Sequence, residues 1–208
     1  MRRRSLILAC TAIVGVREAL AQSNSQIDQL KPYLQVKPIP GEEKTVRVFF
    51  SPACQYSRMY LQFFRNLAAT LPEDKLFVYT PLVNKADGMA YAMAFAAVQR
   101  YHPTYLNAFI EVSMIATQEK GISTASWAGI DRLGRASKLP VSLPALVKAN
   151  NAQIMKDVEL YVSVRHNLQV LNTPAVAVAG TYVVTPEFTK GDAALFSQLV
   201  NGIISMAR

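Results

Sequence analysis

A cysteine and a serine three residues apart, Cys54 and Ser57, stand where an apolar run gives way to a helical pattern. The run Thr45–Phe50 predicts a buried strand, and the amphipathic pattern that begins at Gln55 predicts a helix. A cysteine at the start of a helix lies close to backbone N–H groups without intrahelical partners, which stabilise a thiolate. The Ser57 hydroxyl, one turn further on, is expected to donate a hydrogen bond to the sulfur. The position favours a nucleophilic thiol, and a small buried side chain at a strand end is the alternative.

A second motif lies far along the chain, in the stretch N-T-P-A-V-A-V of residues 172–178. A proline at the start of an apolar strand cannot donate to the hydrogen-bond ladder of a sheet, so its presence there needs a reason. One reason is a cis peptide bond between Thr173 and Pro174, which is far commoner before proline than elsewhere but is still a minority state. The residues alone leave both isomers open.

The patterns around these motifs predict one fold. A second strand, Leu76 to Pro81, follows the first helix, so the two strands should be parallel neighbours. Helical patterns follow over residues 88–101, 103–120, 127–138 and 144–166. Gly121 is expected to stop the second of these helices and Thr124 to cap the third, which Gly129 and Gly134 weaken. Two short strands joined by a turn at Gly180 and Thr181 then precede a closing amphipathic helix. The order β-α-β, helices, β-β-α predicts an α/β protein with a thioredoxin fold and an inserted helical domain.

The chain divides into five predicted parts. Three arginines after Met1, an apolar stretch over residues 6–16 and small residues before Gln22 are typical of a secretory signal peptide. A lipid-modified Cys10 is the alternative, since the preceding I-L-A faintly resembles a lipobox. The predicted parts are a signal peptide at residues 1–21, an N-terminal arm at 22–44, a first thioredoxin-like half at 45–87, a helical insertion at 88–168 and a second half at 169–208.

Charge and composition limit the function. Cleavage after Ala21 would remove four arginines and one glutamate, which lowers the formal net charge from +8 to +5. No dense basic stripe with interleaved aromatic residues remains, which disfavours nucleic-acid binding. No later stretch approaches the roughly 20 apolar residues of a transmembrane helix, so we expect a periplasmic protein without stable membrane insertion.

The cysteine and histidine content also limits the chemistry. Cleavage would remove Cys10 and leave Cys54 as the single cysteine, which excludes an internal disulfide in the mature protein. The two histidines, His102 and His166, are distant in sequence from each other and from Cys54. This gives little support to a zinc site or a cysteine protease, and we expect neither a metal nor a cofactor.

The two motifs together resemble a known family. The pattern F-F-x-P-x-C-x-Y, a long helical stretch and then T-P-A-V-x-V-x-G-x-Y resembles the DsbA-like branch of the thioredoxin superfamily, which consists of exported bacterial disulfide exchange proteins. The resemblance extends from roughly Val46 to the C-terminus. It implies that Cys54 is the surface nucleophile and that Pro174 is a cis-proline packed against it. It also implies that Thr173 pairs its backbone with the cysteine segment of a bound substrate.

The departure from the family pattern is Ser57, which stands where the family has its resolving cysteine. With serine there, Cys54 can form a mixed disulfide with a client but cannot resolve it from within the chain. Release must come from a second client thiol, a small thiol or another redox protein. Gln55 and Tyr56 occupy the dipeptide that tunes the thiolate in the family and would contact the substrate. The resemblance thus implies a monothiol isomerase or reductase acting on exported, cysteine-containing clients.

Two other functions remain open at the level of sequence. A thioredoxin-fold chaperone or binding module of the cell envelope or of a secretion assembly would use the same fold without catalysis. A glutathione-transferase-like protein shares the inserted topology and can use a serine, but the export signal argues against it. Whether Ser57 is the natural residue or a substitution that traps mixed disulfides is also open.

Overall fold

The computed structural model describes residues 31–83 and 88–207, and the predicted signal peptide, Cys10 and the first part of the N-terminal arm lie outside these residues. Five strands form one mixed sheet in the order β1-β5-β4-β2-β3. Strand β2 runs parallel to β3, as the predicted β-α-β unit requires, and antiparallel to β4, which forms the predicted hairpin with β5. The strands are β1 (Leu34–Gln35), β2 (Thr45–Phe50), β3 (Leu76–Pro81), β4 (Ala175–Val178) and β5 (Tyr182–Val184).

Helices cover both faces of this sheet. Two of them follow β2, five lie between β3 and β4, and one closes the chain within the described residues. Short 3₁₀ turns at Pro103–Tyr105 and Pro186–Thr189 join some of these elements. The helices are α1 (Gln55–Met59), α2 (Leu61–Thr70), α3 (Gly88–Tyr101), α4 (Leu106–Lys120), α5 (Trp127–Ala136), α6 (Leu143–Ala149), α7 (Asn151–Asn167) and α8 (Ala193–Met206).

Strand β2 is an inner strand of the sheet, since it pairs on both edges, and it is buried along its whole length. Val46, Val48 and Phe50 join the larger apolar core, whereas Phe49 belongs to a second core on the other face. A strand buried on both faces is mostly apolar along its whole length, and in β2 only Thr45 and Arg47 are polar. The turn that carries Cys54 therefore follows directly from a buried, well-packed strand.

The order β-α-β, helices, β-β-α and the mixed sheet are those of a thioredoxin fold with inserted helices, as predicted. The short strand β1 lies at the edge of the sheet and pairs antiparallel with β5. Gly121 ends α4 in the left-handed conformation with a φ of 62°, in agreement with the predicted stop. Within the described residues, none of the helices is both long and apolar enough to cross a membrane.

The first predicted helix is divided in two at Tyr60. Tyr60 has φ −89° and ψ 0°, while hydrogen bonds from its N–H to Tyr56 O and from Phe64 N–H to its own carbonyl continue across the break. Its buried ring packs edge-on against Phe196, and its hydroxyl donates to Gly191 O. Local periodicity cannot reveal such a turn, because contacts with distant residues hold it. Met59, the last residue of α1, is exposed.

Two details of the inserted helices differ from the prediction. Helix α5 is capped by Ser126, whose hydroxyl accepts from Gly129 N–H, rather than by Thr124. A Cβ at Gly129 would lie 1.9 Å from Ser123 O, so this glycine is required by close approach of the backbone rather than being a weak point of the helix. The fourth helical pattern is divided at Asn150 into α6 and α7, and Asn150 serves as the end of one and the start of the other.

Candidate active site

A tight turn connects β2 to α1 and presents the cysteine. Cys54 N–H donates to Ser51 O at 3.1 Å, and Ala53 N–H donates to Ser51 Oγ at 3.2 Å. Ser51 and Pro52 are buried, whereas Ala53 is exposed. The turn is therefore anchored at its base in the protein interior, and its tip faces solvent.

Cys54 is the N-cap residue of α1, with φ −85° and ψ 116°. Its Sγ accepts a hydrogen bond from Ser57 N–H at 3.4 Å, and its thiol donates to Thr173 O at 3.1 Å. The residue is half-buried, and it forms no disulfide within the described part of the chain. The sulfur thus has one donor that would stabilise negative charge, one acceptor for its proton and a partly accessible surface.

Ser57 lies beside the cysteine but faces away from it. The residue is fully buried, and its Oγ accepts from Ser51 N–H at 3.3 Å. Among the described residues no hydrogen bond joins this hydroxyl to Cys54 Sγ. The predicted hydrogen bond from the Ser57 hydroxyl to the sulfur is therefore wrong. The backbone N–H of Ser57 makes the contact with sulfur instead, because N-cap geometry directs the cap side chain to the backbone three residues on.

The second motif reaches the cysteine from 119 residues further along the chain. The Thr173–Pro174 peptide bond is cis, Pro174 is buried and Thr173 is half-buried. Pro174 directly precedes β4, which pairs with β2 from Val46 to Phe49. The antiparallel pairing of these strands brings the start of β4 to the end of β2, and this places Thr173 O against the thiol.

A groove of about 440 Å³ lies next to these residues. Tyr56 is 59% exposed and forms one wall, while Gln55 is exposed but is not among the lining residues. The groove carries two opposite charges, those of Glu187 and Lys190. Its lining consists of Tyr56, Asn172, Thr173, Pro174, Pro186, Glu187, Lys190 and Gly191.

Hydrogen bonds hold the far wall of the groove. Asn172 Nδ2 donates to Glu187 Oε1 at 3.3 Å, and Thr185 Oγ1 donates to Glu187 Oε2 at 3.1 Å.

Burial, with a smaller contribution from Asp192, raises the pKa of Tyr60. The Tyr60 hydroxyl therefore stays protonated well above neutral pH and can donate to Gly191 O at the groove margin.

Sequence reasoning missed one residue of this site, Gln118 in α4. Its Nε2 donates to Pro52 O at 2.8 Å and to Cys54 O at 3.1 Å, so one amide holds both ends of the turn tip. The neighbouring Glu119 forms an ion pair with Arg58 of α1. No local signal could have revealed these contacts, because they join residues more than 60 positions apart.

The remaining polar candidates lie elsewhere. Among residues 31–83 and 88–207, no group of three or more His, Cys, Asp or Glu side chains could hold a metal ion. His166 lines a separate groove with Leu34, Val162 and Arg165, and His102 contacts the ring of Tyr105. Neither histidine belongs to the groove beside the cysteine.

Comparison with known proteins gives structural matches only. The oxidoreductase NmDsbA1 from N. meningitidis is 15% identical with a TM-score of 0.69, over 85% of this chain and 91% of that chain. DsbA from Xylella fastidiosa is 17% identical with a TM-score of 0.68, over 84% and 94%. DsbL from Salmonella enterica serovar Typhimurium is 19% identical with a TM-score of 0.62, over 84% and 94%. No family model and no curated protein sequence matches the chain. The TM-scores establish a shared fold, and identities this low show nothing beyond the fold.

Proposed function

We propose that this chain is a thiol–disulfide exchange protein in which Cys54 acts as a single nucleophile on the disulfides of client proteins. The observation that carries the proposal is the position of Cys54 Sγ between Ser57 N–H and Thr173 O, beside a cis-proline. These two motifs lie 119 residues apart in sequence at Cys54 and Thr173, and the fold brings them together at the sulfur. A merely structural cysteine has no need of a partly exposed sulfur and an adjacent groove.

The reaction proceeds by two displacements at sulfur. The Cys54 thiolate attacks one sulfur of a client disulfide, so that a Cys54–client mixed disulfide forms and the other client sulfur leaves as a thiolate. A second thiolate of the same client then attacks the client sulfur of the mixed disulfide and releases Cys54 as a thiolate. The client exchanges one disulfide for another, and no net oxidant or reductant is consumed.

Ser57 sets the outcome of this chemistry. Because a hydroxyl cannot take the place of a resolving thiolate, the mixed disulfide persists until a thiol from outside the chain attacks it. When that thiol is a small molecule or belongs to a redox protein rather than to the client, the client disulfide is reduced and two external thiols are oxidised. The Ser57 position therefore supports isomerase-type or reductase-type exchange and argues against a self-sufficient dithiol oxidase.

The client segment would be bound by four residues beside the sulfur: Gln55, Tyr56, Thr173 and Pro174. An extended segment that carries the client cysteine can lie along the groove and pair its backbone with Thr173. The clients we propose are exported proteins with cysteines, met in the periplasm after cleavage near Ala21. No nucleic acid, metal or cofactor has a role in the proposal.

The proposal is tested by trapping the mixed disulfide. The chain without residues 1–21 is mixed with a scrambled, disulfide-containing client, quenched with acid and analysed by intact mass. We expect a covalent adduct of one chain and one client that disappears on reduction and does not form with Cys54→Ala. A wild-type protein that forms no adduct with several such clients would overturn the proposal.

A non-catalytic binding module is the second candidate, and exposed apolar residues favour it. Leu171, next to the groove residue Asn172, is 76% exposed, and Tyr56 and Phe188 are also exposed. Such residues could hold an unfolded client without covalent chemistry. Client binding that is equally tight in wild type and Cys54→Ala, together with no disulfide exchange, would favour this function over the first.

A further inference from the structure

We infer that Gln118 is a positioning residue for Cys54, so that the helical insertion controls the reactivity of the thiol. This inference rests on the proposed function and extends it to a residue outside both motifs. Gln118 belongs to α4, whereas the turn that it holds lies between β2 and α1. Its amide makes the only side-chain hydrogen bonds to the carbonyls of Pro52 and Cys54 among the described residues.

The orientation of the Gln118 amide follows from its partners. Both nearby atoms are carbonyl oxygens, at 2.8 Å and 3.1 Å from Nε2, and a carbonyl oxygen can only accept. A flipped amide would place Oε1 against two acceptors. The NH₂ group therefore uses both of its hydrogens on the turn, one at Pro52 and one at Cys54.

These bonds fix the backbone torsion that sets the sulfur. The Cys54 carbonyl accepts from Gln118 Nε2 and, at 3.3 Å, from Arg58 N–H. Two donors on this oxygen hold the peptide plane that follows Cys54 and thus hold its ψ at 116°. That extended ψ lets Sγ turn back to the Ser57 N–H, because a helical ψ would remove the cap geometry. Gln118 thereby keeps the sulfur between Ser57 N–H and Thr173 O.

The neighbouring ion pair provides a matched control. Glu119, the next residue of α4, pairs with Arg58 of α1, and both side chains are more than one third exposed. This pair also links the insertion to α1, but its side-chain atoms make no hydrogen bond to Cys54 or to the turn carbonyls, since Arg58 contacts the Cys54 carbonyl only through its backbone N–H. If the linkage acts only as a structural brace, loss of either contact should have a similar effect.

The experiment compares Gln118→Met with Glu119→Gln. Methionine has a similar length but no donor. We expect Gln118→Met to slow the reaction of Cys54 with 2,2′-dithiodipyridine by about fivefold, the effect of losing the single hydrogen bond from Ser57 N–H to the sulfur. We also expect the ¹⁵N-resolved amide signal of Ser57 to shift and to lose exchange protection. Glu119→Gln should leave both readouts near wild type. Gln118→Ala is the second variant if methionine prevents folding.

An unchanged Cys54 rate and an unchanged Ser57 amide in folded Gln118→Met would overturn the inference. Equal effects of Glu119→Gln and Gln118→Met would also overturn it, since a general brace would then suffice. The Ser57 amide is read without any client. The inference can therefore fail while wild type still exchanges disulfides, and it can hold when clients are not exchanged.

Discussion

Two polar side chains near opposite ends of β2 have opposite environments. Arg47 is 5% exposed, and each guanidinium nitrogen has a partner: Nε and Nη2 donate to Glu42, and Nη1 donates to Thr80 Oγ1 at 2.7 Å. Cys54 is half-buried and has one donor and one acceptor at its sulfur. The polar group that serves the fold is buried and has a partner on each of its nitrogens. The group proposed to serve the chemistry keeps part of its surface open beside a groove.

The largest expected effect comes from completing the thiol pair. In Ser57→Cys a second sulfur would stand one helical turn from Cys54, where the Ser57 N–H already contacts Sγ. An intramolecular thiol would shorten the lifetime of a mixed disulfide at Cys54 on the order of a hundredfold or more, because the attack no longer waits for an external thiol. Quench-flow and intact mass measure that lifetime. An unchanged lifetime would mean that the buried position of residue 57 prevents resolution.

The next effect comes from breaking the enclosed pair. Arg47→Met would leave Glu42 partly buried without its partner, and we expect a loss of about 3–5 kcal/mol in the free energy of unfolding. Urea denaturation measures this loss. The reaction rate of Cys54 in the folded fraction should stay near the wild-type value. A slowed thiol in folded Arg47→Met would show that the two regions are coupled and would contradict the comparison.

The hydroxyl of Tyr79 sharpens the comparison, because it is buried and has no hydrogen-bond partner within the described residues. Tyr79→Phe removes this unpaired group and should stabilise the fold by about 1 kcal/mol at neutral pH. Thermal and urea unfolding of the two proteins measure the difference. A destabilised variant would mean that the hydroxyl has a partner in solution.

Tyr79 should also make the stability of the fold depend on pH in the alkaline range. Burial raises the pKa of Tyr79 to about 12. Between the ordinary tyrosine pKa of about 10 and this value, the unfolded chain releases the proton while the folded chain retains it. The contribution of Tyr79 to the free energy of unfolding therefore keeps its full value below about pH 10 and falls as pH rises through about 12. This part of the alkaline loss of stability should be absent in Tyr79→Phe.

The smallest expected effect is at the surface. Glu119→Gln removes the exposed pair with Arg58, which should lower the free energy of unfolding by less than about 1 kcal/mol. The difference between wild type and variant should shrink further in 1 M salt, where exposed charges are screened. A larger loss that persists in high salt would place this pair with Arg47 and Glu42 rather than with ordinary surface pairs.

The sequence predicted the elements whose patterns are local. Strands Thr45–Phe50 and Leu76–Pro81 are apolar runs of the right length, and their parallel pairing follows from the single helical connection between them. Gly121 was predicted to stop a helix, and α4 does end there, with Gly121 in the left-handed conformation that glycine adopts readily. These features depend on periodicity and on backbone preferences, which a single sequence carries.

What the sequence could not predict depends on distant contacts. The turn at Tyr60 is held by Phe196 and Gly191, and the hold of Gln118 on the cysteine turn crosses more than 60 residues. The atoms around the cysteine were also missed in part, since the Ser57 backbone N–H and not its hydroxyl contacts the sulfur. The identity of a candidate site residue can be read from its motif, whereas its bonding partners require the fold.

The most direct test of the central claim is the repair of a scrambled disulfide protein in a glutathione buffer. Wild-type chain without residues 1–21, Cys54→Ala and buffer alone are compared by the recovery of client activity. We predict that wild type accelerates recovery and that Cys54→Ala matches the buffer. Equal recovery with wild type and Cys54→Ala would contradict the claim that Cys54 is a working nucleophile.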